Sequence, residues 1–138
     1  MKELAAAICI RFNSGPMVTS FTGIYNTVAP NDSVFPYLVF TMISQSTDWT
    51  FTERFERYLI QFDIYSEEIS PVQIGNLYNL LLGNPGVQQG FDFAEFAVSG
   101  HTLLWCIRES SSLQRWEIEG KKVWNYTVTY DVMLERQP

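Results

Sequence analysis

His101 is the only histidine in the chain, so a Ser-His-Asp or Cys-His nucleophilic centre would have to be built on it. It follows Gly100 at an expected turn, where a solvated imidazole needs no catalytic reason. A zinc site would have to gather His101, Cys9, Cys106 and a carboxylate, but their spacing matches neither Cys-x-x-Cys nor His-x-x-x-His. Paired carboxylates could do acid–base work. Glu67-Glu68, however, lie just ahead of an expected helix start at Ser70, where the helix dipole favours negative charge, and they read as structural. Glu53-Arg54 and Glu56-Arg57 read as surface ion pairs of small worth. Neither a Gly-x-x-x-x-Gly-Lys loop nor a Gly-x-Gly-x-x-Gly turn is present to cradle a phosphate. The expectation is a non-enzyme with no catalytic residue, metal ligand or cofactor site.

Trp49 and Phe51 offer a different chemistry. They stand in an otherwise polar stretch between two expected strands. Large rings in such places are enriched at protein interfaces, because they gain contact area at low entropic cost. The pair is either a partner-interface loop or a loop that folds back to bury both rings on its own sheet.

These residues must be positioned by a small set of elements. Apolar spacing at Leu4, Ala7, Ile8 and Phe12 predicts a helix over residues 3–13, ended by Gly15-Pro16. Residues 17–35 read as irregular, punctuated by Gly23, Pro30, Asn31 and Asp32. A strand is expected from Tyr37 to Ser44 and a polar loop over 45–53. A second strand is expected from Arg54 to Ser66, with Tyr58, Ile60, Phe62 and Ile64 on one face. Ser70, Pro71 and Gln73 predict a capping box opening a helix over 70–83, with Gly83 closing it. A short strand is expected at 92–98 and a longer one from Leu103 to Glu109. Ser110-Ser111-Ser112 reads as a turn or bulge, after which the strand resumes over 113–118. The last strand, Lys122 to Glu135, should turn Trp124, Tyr126, Val128, Tyr130, Val132 and Leu134 to the core. Asn125, Thr127, Thr129 and Asp131 should turn to solvent. The expected fold is α+β in the order α-β-β-α-β-β. It is an antiparallel or mixed sheet of about four main strands with two helices packed on one side, and residues 1–138 form a single domain.

Bulk properties narrow the function classes. With 138 residues, 46% of them hydrophobic and 17% charged, the chain can bury a core unaided. The net charge of −6 is not spread evenly: from Asp32 to Glu95 there are nine carboxylates against Arg54 and Arg57 alone. A tight nucleic-acid binder needs a basic footprint, and none stands out. An acidic surface can instead let DNA pass without gripping it. Two cysteines allow one disulfide, but free thiols in a reducing compartment are the expectation. The apolar run at 5–10 is flanked by Glu3 and Arg11, unlike a signal peptide. No stretch approaches a membrane span, so a cytosolic chain is expected.

The order of motifs resembles a known family: the tail-completion or tail-terminator proteins of long-tailed phages and prophages. The resemblance runs through Gly23-Ile24-Tyr25, Val28-Ala29-Pro30 and Phe35-Pro36-Tyr37-Leu38-Val39-Phe40. It continues through Ile60-Gln61-Phe62-Asp63-Ile64-Tyr65-Ser66, the capped helix, and the closing strand Trp124-Asn125-Tyr126-Thr127-Val128-Thr129-Tyr130. It spans nearly the whole chain and is poorest over 45–53 and 84–100. The resemblance implies a structural virion protein, assembled in the bacterial cytoplasm and placed at the tail end or neck. There it would form a hexameric ring that stops tail-tube polymerisation and joins the tube to a head-closure or connector protein. DNA would pass through the ring without specific binding. No cofactor, membrane or catalytic residue belongs to that picture. The alternatives are a head-closure or neck connector protein, or a small apolar-ligand-binding module built on the aromatics.

Overall fold

A computed structural model of the chain describes residues 2–49, 53–84, 90–118 and 120–137. Its elements are α1 (Lys2–Ser14), α2 (Met17–Ser20), β1 (Ile24–Asn26), β2 (Tyr37–Trp49), β3 (Arg54–Ser66), α3 (Val72–Leu82), β4 (His101–Ile118) and β5 (Lys121–Arg136). The strands form one mixed sheet of 5 strands in the order β1-β2-β3-β5-β4, antiparallel except where β1 pairs in parallel with β2. The α+β class holds, but four strands and two helices do not.

The added strand and helix fall within residues 17–35, read as irregular. Neither is long enough to show a period. The single turn of α2 buries Met17. β1 is held from outside itself: Ile24 to Asn26 pair with Leu38 to Phe40, and around it the Thr22 N–H donates to the Pro36 carbonyl and the Leu38 N–H to the Gly23 carbonyl. Three other expectations change for a common reason, namely that backbone pairing or packing overrides local composition. β2 runs on to Trp49 instead of stopping at Ser44, because β3 pairs with the polar stretch through to Trp49↔Arg54 after a bulge at Ile43. β4 is one strand rather than two. Its serines continue the ladder to β5, and the irregularity is absorbed by register shifts at Leu103/Trp105 and Arg108/Ser110. Residues 92–98 are not a strand. They form a loop whose Ala94 and Val98, with Phe91 just before it, drop into the core, with a lone bridge from Val98 to His101.

The core lies between the sheet and the helices. Leu4, Ala7, Ile8 and Phe12 of α1 and Ile74, Leu77 and Leu81 of α3 meet Leu38, Phe40, Tyr58, Ile60, Phe62, Ile64, Val128, Tyr130, Val132 and Leu134 of the sheet. These are the residues that helical and two-residue periodicity select. Arg11 ties α1 to the 90–98 loop by donating from Nε to the Gly90 carbonyl at 2.7 Å and from Nη1 to the Glu95 carbonyl at 3.2 Å. Gly90 must be glycine, since a Cβ there would stand 2.3 Å from the backbone of Leu82 and Gly83. Gly83 closes α3 at φ 71°, as expected. The opening of α3 differs from the expected capping box. Ser70 Oγ accepts from the Val72 N–H at 3.3 Å, while the Gln73 amide oxygen accepts from Ser66 Oγ instead of turning back to the cap. Pro71 is the cap residue rather than the first helical one.

Candidate interaction surface

The residues able to do chemistry are dispersed. His101 opens β4, but its imidazole is largely enclosed rather than solvated. Nδ1 lies 2.9 Å from the Ser99 carbonyl and Nε2 lies 3.7 Å from the Glu56 carboxylate. Glu56 is itself buried at 5% exposure. It accepts from Tyr58 Oη at 2.8 Å and faces Arg54 Nε at 3.4 Å. Burial, aided by that carboxylate, pushes the Tyr58 phenol well above its ordinary value. Glu56 and Arg57 are therefore not a surface pair. Alternation sends them to opposite faces of β3, and Arg57 forms a two-bond fork with Asp131, each bond 2.8 Å. Cys9 and Cys106 are free thiols. Cys106 is buried, and desolvation pushes its thiol up to about 12. Among the described residues, no three His, Cys, Asp or Glu side chains come together as a metal-holding group. No helix among them is long and apolar enough to cross a membrane.

What the fold does build is a sheet with two unlike faces. The helices cover one. The other carries Arg57, Gln61, Asp63, Asn125, Thr127 and Asp131, polar residues that alternation turns away from the core face. Several of them are buried nonetheless: Asn125 is 3% exposed, Asp131 8% and Asp63 9%. Two tryptophans of β4 account for this. Trp116 donates its indole N–H to Asn125 Oδ1 at 3.1 Å, and Trp105 donates to Asp131 at 3.3 Å. Under Trp116, Asn125 donates to Asp63 at 3.3 Å, Thr127 donates to Asp63 at 2.7 Å, and Gln61 donates to Asp63 at 2.9 Å. A carboxylate with three donors satisfies its lone pairs without a counter-ion.

The outer sides of the same rings remain open. Trp116 is 51% and Trp105 37% exposed, with Ile107 of β4 also exposed. β4 is an edge of the sheet over 18 residues, so its outer backbone groups face outward beside those rings. Partly exposed tryptophans flanked by Arg57 have the composition of binding hot spots. Periodicity alone missed this surface, because the rings come from a strand whose bulges break the alternation.

Trp49, singled out in the sequence, ends β2 and is 64% exposed, so it is not folded back onto the sheet. The Arg54 guanidinium lies 4.6 Å from its ring centroid and braces it. Phe51 lies outside the described residues.

No protein family matches the chain, and no curated protein is similar to it in sequence. Solved structures do match its fold. One of them is a chain in the virion of a native gene transfer agent particle. It superposes with a TM-score of 0.71 over 94% of this chain and 92% of that one, at 10% identity. At that identity the likeness is one of fold.

Proposed function

We propose that this chain is a structural component of a phage-like particle, and within it the tail terminator: a ring on the end of the tail tube that stops polymerisation and joins the tube to the head connector. The observation that carries the reading is the superposition, nearly end to end, on a chain of a gene transfer agent virion. The sequence resemblance points the same way. Its motifs fall on four of the strands: Ile24-Tyr25 on β1, Tyr37 to Phe40 on β2, Ile60 to Ser66 on β3 and Trp124 to Tyr130 on β5. A protein that works by stacking and joining needs surfaces and edges rather than a reactive cavity. The edge strand β4 with its exposed rings, and the Trp49 end of β2 and β3, are such surfaces.

The test is removal of the gene from an inducible phage or prophage that carries it, followed by electron microscopy of the lysate. The terminator reading expects tail tubes of excessive and uneven length, separate from filled heads. Tails of normal length beside heads that have lost their DNA would transfer the chain to the head-closure role. Normal tails joined to normal heads would exclude both.

A further inference from the structure

The long hairpin of β2 and β3 has unlike ends. Between them lie 13 residues of strand, about 40 Å at roughly 3.3 Å per residue. One end projects Trp49, exposed and braced by Arg54, with Glu53 exposed beside it. At the other end is a groove between the 29–37 segment, the link from β3 to α3, and the near end of the β4–β5 hairpin.

The groove has two adjoining parts of about 440 and 420 Å³ that share Glu67 and Lys121. Its walls include Val34, 65% exposed, and Ile69, 88% exposed, apolar side chains left uncovered within the monomer. Its charge runs against that of the chain. Arg115, Lys121 and Lys122 line it against the single carboxylate of Glu67, in a chain of net charge −6. Arg54, Arg57 and Arg108 each have a carboxylate partner, whereas among the described residues Arg115, Lys121 and Lys122 form no ion pair. Arg115 is nonetheless fixed, 4.5 Å over the Trp124 ring and donating to the Ile69 carbonyl at 3.5 Å.

We propose that this groove receives the Trp49 end of the hairpin from a second copy of the chain, head to tail. The indole would cover Val34 and Ile69, and Glu53 would meet Lys121 and Lys122. The two ends are complementary in polarity and in charge, and they lie too far apart to meet within one copy. A contact between two different surfaces repeats from copy to copy and closes into a ring when its rotation permits. The inference rests on the ring reading for that closure, while the pairing of the two ends stands on the groove and the projecting ring.

A test on the unaltered protein uses carbodiimide, which joins a carboxylate directly to an amine. Equal parts of unlabelled and nitrogen-15 protein are cross-linked at high concentration and digested for mass spectrometry. Peptides joining Glu53 to Lys121 or Lys122 with one partner of each isotope are expected. Trp49→Ala, or Lys121→Glu with Lys122→Glu, should weaken self-association by roughly tenfold or more in sedimentation. Glu53→Lys should restore it to the lysine-reversed variant but not to the wild type. Cross-links between copies that never join these two ends would overturn the proposal and leave a ring built on another surface, such as β4. A protein that stays monomeric at ~100 µM, without cross-links, would also overturn it. The phenotype of the gene deletion would then judge the terminator reading on its own.

Discussion

The two faces of the sheet exclude water by different means. On the helix side, Phe62 is packed among Phe40, Phe91 and Tyr130, with ring centroids 6.4, 4.7 and 5.7 Å away, and polar groups are few. Even there Tyr130 keeps a bond, donating to Asp92 at 2.7 Å, and burial pushes its phenol far above the ordinary range. On the other face a polar seam is shielded by two tryptophans that remain half open. The first arrangement stabilises through apolar area and close packing. The second contributes little net energy per bond but is costly to break, because a buried group left without its partner keeps its desolvation penalty. The helix face therefore holds the fold together, and the tryptophan face is where the molecule can meet others.

The comparison can be broken by substitution. Phe62→Ala should cost most, about 3–5 kcal/mol, read as a fall in the urea midpoint at unchanged slope. Asn125→Ala should cost less, about 1–3 kcal/mol, by stranding the Trp116 N–H and taking one donor away from Asp63. If it cost as much as Phe62→Ala, the division between the faces would fail. Arg57→Ala should cost less again despite its two short bonds, since its side chain is 52% exposed, water screens the pair, and Asp131 keeps the Trp105 N–H. Trp49→Ala should leave the melting temperature nearly unchanged, because its ring stands outside the core. A large drop would place it in the fold rather than at an interface.

A pH series sharpens the same contrast. Tyr65, on the tryptophan side of β3 with its ring centroid 5.1 Å from that of Tyr37, has its phenol pushed up to about 12, first by burial and then by the Asp63 carboxylate. Its folded value lies above the ordinary value of about 10, so its contribution to stability is complete below about pH 10. That contribution is lost as the pH rises towards 12, where the unfolded chain ionises first. The urea midpoint should fall across that window, and Tyr65→Phe should reduce the fall.

Much of this was legible in the sequence. Helical spacing selected the buried face of α1, and alternation selected the core residues of β3 and β5 because both strands press one side on helices. Trp49 was legible as an aromatic in polar surroundings. The hidden features share a cause: each is decided by a distant neighbour. β1 exists because β2 pairs with it, and Asn125 and Asp131 are buried because rings on β4 reach over them. Glu56 and Arg57 looked like a pair by adjacency, although successive residues of a strand face opposite sides. The groove at the far end of the hairpin is assembled from three separate segments, none with a signature of its own.

The central claim concerns place, and cryo-electron microscopy of intact particles tests it most directly. Averaged images of the neck should show a ring into which this fold docks, one copy per tube subunit, on the head-proximal end of the tail tube. Density for this chain in the capsid shell or at the distal tip, or its absence from particles that are nonetheless joined head to tail, would contradict the account.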